Sequence, residues 1–198
     1  MEKSAQTAHP IHDLLQERWS PRAFSGESID KKTLTKLLEA ARWAPSAFNS
    51  QPWRFIVAMR DDSEAFETMR GCLMPGNQRW TGETAVLIIL AAQLQDEPGG
   101  KKRYLNYFNA GLAVAQMTIE AAANGLHTHQ MAGIDRDKIR ETYGVPEEFA
   151  PLVGIAIGKL GDAASLPDDL RARENGDRTR KPLSEIAFAG AWGQAADL

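Results

Sequence analysis

The sequence has 198 residues, enough for one substantial domain with its own core. It is 43% hydrophobic and 25% charged, as globular proteins are, and a formal net charge of −3 gives no sign of a nucleic-acid partner. The single cysteine, Cys72, excludes an intrachain disulfide and fits a reducing compartment. The longest apolar run, residues 85–92, is too short to span a membrane, and residues 1–6 have no apolar signal core. We therefore expect a cytoplasmic protein without membrane attachment.

The first third of the chain predicts three helices and a strand. Apolar residues at helical spacing predict a short helix over residues 10–17 and a longer helix that begins at the N-cap Asp30. Pro45 stops the longer helix because proline has no N–H to donate and its ring clashes with the preceding turn. Residues 53–59 are rich in aromatic and β-branched side chains, which indicates a strand, and residues 62–70 favour a helix.

The rest of the chain continues the alternation of strands and helices. Strands are expected over residues 84–92, 126–130 and 152–160, helices over 104–124 and 135–143, and irregular chain over 1–8, 71–82, 96–100 and from 161 onward. The helix over 104–124 is apolar or small on nearly every side, which is typical of a helix buried between layers or subunits. The alternation predicts an α/β or α+β sandwich whose helices cover the sheet. No Gly-x-Gly-x-x-Gly follows a strand, which disfavours a Rossmann fold, and a P-loop is disfavoured as well.

A polar loop separates the second helix from the first strand. It carries Ser46, Asn49, Ser50 and Gln51, whose neutral side chains both donate and accept hydrogen bonds. That chemistry suits a flat heterocycle with carbonyls and ring nitrogens better than it suits a phosphate or a metal ion. These residues are also ordinary in connecting loops, so the loop alone does not establish a site.

Two arginines and a serine occupy alternate positions upstream of this loop. In an extended segment, Arg18, Ser20 and Arg22 point to one side of the chain. Their donors are able to converge on one anion, and each guanidinium offers bidentate geometry. The alternative is a solvated pair of surface arginines.

Taken together, the two motifs resemble those of the FMN-dependent nitroreductase family. The residues that carry the resemblance are Arg18-x-Ser20-x-Arg22 and Pro45-Ser46-x-x-Asn49-x-Gln51-Pro52-Trp53. The resemblance implies an α+β fold, a nitroreductase-like α/β sandwich with a mainly antiparallel central sheet wrapped by helices, in an intertwined homodimer. It also implies a single domain over residues 1–198, whose C-terminal extension, about residues 161–198, packs on the site or on the partner subunit.

The resemblance further implies a function: FMN at the subunit interface, NAD(P)H as electron donor, and a nitroaromatic, quinone or similar conjugated small molecule as acceptor. Hydride would pass through N5 of the flavin in a ping-pong cycle. The cofactor supplies the chemistry, so no side chain is expected to be catalytic and no metal is expected. By match to the family, the residues expected at the cofactor are Arg18, Trp19, Ser20, Arg22, Pro45, Ser46, Ala47, Asn49, Gln51, Met131, Ala132, Gly133, Arg178 and Arg180.

The resemblance assigns different parts of the cofactor to these residues. The arginine motif would face the phosphate and the N1/O2 edge of the flavin, and Asn49 the isoalloxazine ring. The loop segment would reach the cofactor from the partner subunit, where Ala47 stands in place of the commoner serine. Gly133 would let backbone approach N5, since it has no Cβ. Its alternative is an ordinary turn before a helix.

The late basic run offers two further candidates. Arg178 and Arg180 stand four and two positions before Pro182, the spacing of the family's basic pair that closes on the phosphate. The competing interpretation is a solvated run, because five Arg or Lys residues lie within residues 171–181.

Other features leave alternatives open. His127 and His129 would share one face of a strand, but no further ligand with recognisable spacing accompanies them, so core or interface positions are favoured over a metal site. Residues 94–103 or 162–177 are candidates for a substrate lid, as in relatives that perform reductive dehalogenation or flavin-fragmenting reactions. A non-enzymatic FMN-binding module is another alternative. The choice between NADH and NADPH stays open.

Overall fold

One antiparallel sheet forms the centre of the computed structural model, which describes residues 3–198; Met1 and Glu2 lie outside it. Its strands are β1 (Trp53–Met59), β2 (Val86–Gln93), β3 (His127–Met131) and β4 (Phe149–Gly158), in the spatial order β1-β2-β4-β3. Every neighbouring pair is antiparallel. The expected α+β sandwich with a mainly antiparallel sheet is confirmed.

Within residues 3–198, seven helices surround the sheet: α1 (Asp13–Glu17), α2 (Lys31–Arg42), α3 (Ser63–Arg70), α4 (Pro75–Gln78), α5 (Leu105–Ala123), α6 (Arg136–Tyr143) and α7 (Asp168–Asn175). Short 3₁₀ turns occur at Ala47–Asn49, Thr81–Glu83, Ala163–Ser165 and Leu183–Glu185. None of the helices within residues 3–198 is long and apolar enough to cross a bilayer.

Strand β2 explains why the sheet is covered on both sides. Its residues 86–92 are all buried, so both faces of the strand need apolar partners. One face joins a core with α2 and α5, through side chains such as Leu37 and Met117. The other face joins a second core with α3 and α6, through side chains such as Phe66 and Ile139. Helices therefore form a layer on each side of the sheet.

Several expected boundaries differ from the structure. The stretch over 71–82 was expected to be irregular but contains α4, which begins with Pro75 at its first turn, where proline is tolerated. Strand β4 begins at Phe149, three residues before the expected start, and includes Pro151 opposite a register shift between Leu90 and Ala91. A proline ordinarily argues against a strand, and the bulge is what accommodates it here.

The charged C-terminal region was expected to be irregular from residue 161 onward, but part of it is helical. Helix α7 lies within it and places Leu170 and Glu174 in buried positions. With one apolar residue facing the core, it lacks the repeated spacing that identifies an amphipathic helix.

The beginning of the described chain is irregular, as expected, and is held by hydrogen bonds to α1 and α7. The Ala5 N–H donates to the Gln16 carbonyl at 2.9 Å, and the Gln16 side-chain amide donates to the Ala5 carbonyl at 3.1 Å. The Lys3 ammonium donates to the carbonyls of Glu174 and Gly176. These contacts hold residues 3–5 against the end of α1 and the end of α7.

Candidate functional site

Two segments from opposite ends of the chain form the walls of one pocket of about 310 Å³. One is the extended segment after α1, and the other follows α7. The expected cofactor residues in its lining are Arg18, Trp19, Ser20, Arg22, Arg178 and Arg180. Lys3 and Glu174 also line it and were missed, since nothing in the local pattern marks an N-terminal lysine or a glutamate in a charged helix as part of a site.

The pocket concentrates positive charge. None of the ion pairs recorded between residues 3 and 198 includes Arg18, Arg22, Arg178 or Arg180. Burial lowers the pKa of Arg18, and the nearby charge of Arg180 lowers it further. Burial also lowers the pKa of Arg178, as do the charges of Arg18 and Arg180. Both pKa values are lowered because burial and neighbouring positive charge destabilise the protonated guanidinium groups. A bound anion would offset this destabilisation.

Arg18 has a donor that the described residues leave unsatisfied. Its Nε is buried and has no hydrogen-bond partner among residues 3–198. A buried N–H without an acceptor is costly, and it is most often satisfied by a ligand or water. A phosphate monoester, with about two negative charges and three acceptor oxygens, fits these donors.

Arg178 contributes to the wall in a different way. Its Nη1 donates to the carbonyls of Lys3 and Gln16, the latter at 2.8 Å, and its Nη2 donates to the Arg18 carbonyl at 2.8 Å. These bonds use three of the five guanidinium N–H groups. Arg178 thus fixes the Arg18 backbone and keeps two N–H groups for other acceptors.

The two histidines of β3 contact residues 18–22, which we call the arginine segment. The His129 Nδ1–H donates to the Pro21 carbonyl at 2.8 Å, and the ring packs 4.7 Å from Trp80. The His127 ring meets Trp19 edge-on at 6.2 Å. Burial lowers the pKa of both histidines and favours their neutral forms. No cluster of three metal-ligating side chains occurs in the described part of the chain.

The polar loop lies apart from this pocket in the same chain. It contains three non-glycine residues at positive φ, which are Phe48 (54°), Asn49 (53°) and Gln51 (42°). Such conformations store strain of the kind found at functional sites. The Ser46 Oγ accepts from the Gln51 N–H at 3.0 Å and closes the turn. The Phe48 side chain points into solvent, fully exposed, a feature that the sequence pattern did not indicate.

Ala47, in the same loop, is bound by helix α5. The Ala47 N–H donates to Asn109 Oδ1 at 3.4 Å, and Asn109 lies almost fully buried in α5. Pro45 is exposed and lies three residues after α2, which ends at Arg42 and not directly before the proline as expected. The lining of the basic pocket includes none of the expected loop residues, which are Pro45, Ser46, Ala47, Asn49 and Gln51.

The stretch from Met131 to Gly133 leaves the end of β3. Met131 is buried, Ala132 is exposed, and the Gly133 carbonyl accepts from Asn77 Nδ2 at 2.9 Å. A Cβ on Gly133 would lie 2.7 Å from that amide nitrogen. A side chain at residue 133 would therefore displace the Asn77 amide that binds this carbonyl.

Comparisons with known proteins agree with this architecture. The sequence profile of the Nitroreductase family matches residues 15–70 and 63–159. An uncharacterised 15.4 kDa protein of Mycolicibacterium smegmatis is 35% identical over 147 residues, which cover 71% of this chain and 97% of that protein. A Bacillus subtilis protein provisionally named a NAD(P)H nitroreductase, YdgI, is 27% identical over 186 residues, which cover 76% of this chain and 88% of that protein.

A solved structure is similar over nearly its whole length. It is described as an oxidoreductase containing FMN, is 40% identical, and superposes with a TM-score of 0.88 over 94% of this chain and 95% of that one. The antiparallel α+β sandwich and the comparisons together define the family. The chain belongs to the Nitroreductase family.

Proposed function

We propose that this protein is an FMN-dependent NAD(P)H oxidoreductase. The observation that carries the proposal is the basic pocket, whose lining includes five arginines with no ion pair among residues 3–198, and in which the buried Arg18 Nε has no hydrogen-bond partner among those residues. A flavin phosphate satisfies this chemistry better than a neutral ligand does. The similar FMN-containing oxidoreductase supports the choice of flavin, and the nitroreductase name of the Bacillus relative supports the choice of donor.

Each wall of the pocket has a role in this proposal. Arg18, Arg180 and the Ser20 hydroxyl bind the phosphate, while Arg178 holds the Arg18 backbone and offers its two remaining N–H groups. Arg22 places its charge toward the N1/O2 edge of the flavin. A cation there stabilises the anionic reduced flavin.

The polar loop reaches the cofactor from a second copy of the chain. Asn49 and Gln51 do not line the basic pocket of their own chain, so a homodimer with FMN at its interface brings both groups to one cofactor. Large exposed apolar side chains support this assembly, since a soluble monomer rarely displays so many. They include Trp43, Phe48, Tyr104, Leu105, Tyr107, Phe108, Ile186 and Trp192, at exposures from 48% to 103%.

Helix α5 and the C-terminal extension gain their partners in the same assembly. The α5 helix buries one face, which includes Ala113 and Met117, but leaves Tyr107 and Phe108 exposed near its start. The extension after residue 182 is exposed along most of its length. We propose that residues 161–198 extend the single domain and that their exposed end packs on the partner subunit.

Bound FMN would supply the redox chemistry, which is hydride transfer from NAD(P)H and then electron transfer to a nitroaromatic, quinone or similar conjugated acceptor in a ping-pong cycle. The chain's own contribution is to bind the phosphate, orient the ring and hold positive charge beside it. An apolar acceptor pocket discriminates weakly between substrates, so broad acceptor tolerance is expected. The single cysteine and the use of NAD(P)H favour the cytoplasm.

Steady-state kinetics test the proposal. The FMN-loaded protein is assayed for NADH and NADPH oxidation while a quinone and a nitroaromatic are varied against each donor. Parallel double-reciprocal lines are expected, because donor and acceptor react in separate half-reactions. FMN binding without turnover by either nucleotide would contradict the enzyme and leave a flavin-binding module.

A further inference from the structure

A buried carboxylate holds the backbone of the arginine segment. Glu174, in the last turn of α7, is 3% exposed. Its Oε1 accepts from the N–H groups of Arg22 at 2.9 Å and Ala23 at 3.1 Å, and its Oε2 accepts from the same Arg22 N–H at 3.0 Å. No Lys or Arg side chain within residues 3–198 forms an ion pair with it. The charge is therefore satisfied by two backbone donors, which is the strong, charge-assisted form of hydrogen bond.

The peptide bond between Pro21 and Arg22 is held at both of its ends. Its N–H is the one that Glu174 binds, and its carbonyl accepts from His129 Nδ1 at 2.8 Å. The ring of Pro21 also fixes its own φ. Both polar groups of one peptide are thus bound by side chains from β3 and α7, and the plane of that peptide cannot rotate.

The position of Glu174 is itself determined by its helix. Leu170, one turn earlier, is buried in the core, and Asp169 pairs with Arg79 at 2.7 Å. The Glu174 carbonyl also accepts from the Lys3 ammonium. The carboxylate is consequently a rigid support for the segment that it binds.

We propose that Glu174 is a positioning residue for Arg22: it fixes the Pro21–Arg22 peptide and so aims the Arg22 side chain at the flavin. This inference rests on the function proposed above. It adds a carboxylate to a site whose sequence motif, Arg18-x-Ser20-x-Arg22, contains only arginines and a serine. It also explains why a negative charge stays next to an anion site, where Coulomb repulsion alone would weaken binding.

The sign of the effect separates positioning from simple repulsion. A carboxylate that acted through charge alone would, when replaced by an amide, leave a more positive site that binds FMN more tightly and has a higher reduction potential. Loss of positioning has the opposite result, since an Arg22 freed to point into water no longer stabilises the reduced flavin. Glu174→Gln keeps the size and one acceptor oxygen, but it removes the charge and replaces the other oxygen by an N–H₂ group that opposes the Arg22 N–H. The charge-assisted positioning contact is therefore weakened.

The first measurement is FMN affinity and midpoint potential in the Glu174→Gln variant. We expect the dissociation constant for oxidised FMN to rise about tenfold, the scale of one lost charge-assisted bond. The constant for reduced FMN should rise more, so the potential falls. Glu141→Gln, an exposed change on α6, is the matched control and should behave as wild type. An unchanged or raised potential in Glu174→Gln would overturn the inference.

A double-mutant cycle and hydrogen exchange complete the test. In an Arg22→Gln background, Glu174→Gln should lower the potential no further, because its effect passes through Arg22. In the flavin-free protein, the Arg22 and Ala23 amides should be protected from exchange and lose protection in Glu174→Gln. Hydrogen exchange needs no flavin, so it reports on the contact between Glu174 and the backbone even if the wild-type protein does not bind FMN. Failure to bind FMN would contradict the proposed function instead. Independent effects of the two changes on the potential would overturn the inference alone.

Discussion

Arg178 donates from Nη2 to the backbone carbonyl of Arg18 at 2.8 Å, so two cations separated by 160 positions stand side by side. Like charges this close repel, and partial burial prevents water from screening them fully. The arrangement is tolerable because hydrogen bonds to carbonyls hold Arg178 in place. It also leaves positive charge directed into one pocket, which is the electrostatic basis of the proposed phosphate site.

Replacing Arg18 should weaken FMN binding through the phosphate. Arg18→Gln keeps the backbone carbonyl that Arg178 binds but removes the charge and the buried Nε donor. We expect the FMN dissociation constant to rise roughly 10- to 100-fold, since a hydrogen bond to a charged group contributes about 1.5–3 kcal/mol. Fluorescence titration measures it.

Two controls make the Arg18 experiment specific. Riboflavin lacks the phosphate, so its affinity should change little in Arg18→Gln. Arg171→Gln removes a half-buried arginine of α7 that lies outside the basic pocket and pairs with Asp168, its one ion-pair partner within residues 3–198. It should leave FMN binding as in wild type. Equal losses for FMN and riboflavin would show that Arg18 does not bind the phosphate.

The local elements were largely predictable from sequence, because their signals are local. Strand β1 has the expected bounds, 53–59, and helix α2 starts after the N-cap Asp30, whose carboxylate accepts from the Thr33 N–H at 2.7 Å. Helix α7 was missed because only Leu170 marks its apolar side. Pro151 concealed the start of β4, since the bulge that accommodates it depends on the neighbouring strand.

The site was only partly predictable, for a different physical reason. Alternation placed Arg18, Ser20 and Arg22 on one side of an extended segment, and all three line one pocket. The approach of Arg178 and the burial of Glu174 depend on how α7 packs in three dimensions. No periodicity in the surrounding sequence encodes such a long-range contact.

Acidification should destabilise the fold through His129. Burial lowers the pKa of this imidazole, with the Arg22 charge adding to the effect. Below the ordinary value of about 6.5, the unfolded chain takes up a proton that the folded chain resists, so the free energy of unfolding falls as pH falls. Melting temperatures at about pH 7.5 and about pH 5.5 measure this dependence.

A variant assigns the pH dependence to that residue. In His129→Gln, whose amide is still able to donate to the Pro21 carbonyl, the loss of melting temperature on acidification should be smaller than in wild type. His9→Gln, in the exposed N-terminal segment, should keep the wild-type dependence. If all three proteins lose the same amount, burial of His129 is not the cause.

Gly161 should not tolerate a side chain. A Cβ there would lie 2.4 Å from the backbone carbon and oxygen of Phe24, and the Gly161 N–H donates to the Ala23 carbonyl at 2.9 Å. Backbone cannot yield as a side chain does, so Gly161→Ala should cost about 1–3 kcal/mol of unfolding free energy. Denaturant unfolding measures the loss.

Gly82→Ala is the matched substitution for this experiment, because nothing lies within 4 Å of its added Cβ. It should change the unfolding free energy by no more than about 0.5 kcal/mol. Since Ala23 follows Arg22, Gly161→Ala should weaken FMN binding too. Wild-type stability in Gly161→Ala would contradict the close approach.

The exposed apolar start of α5 should be an interface in solution. Phe108 is 63% exposed, so Phe108→Asp should cost the isolated chain little but oppose association. Light scattering should give a dimer for wild type and a monomer with weakened FMN binding for the variant. Met74→Asp, at a 48% exposed site on another element, should remain dimeric. A monomeric wild type that holds FMN would refute the interface.

The visible spectrum of the FMN-loaded protein under anaerobic conditions, before and after adding NADPH or NADH, tests the central claim most directly. The account predicts a yellow protein that bleaches rapidly with at least one nucleotide, and the faster nucleotide identifies the preferred donor. A yellow protein that keeps its colour with both would contradict the oxidoreductase function. A protein that cannot be loaded with FMN would contradict the basic pocket as a flavin site.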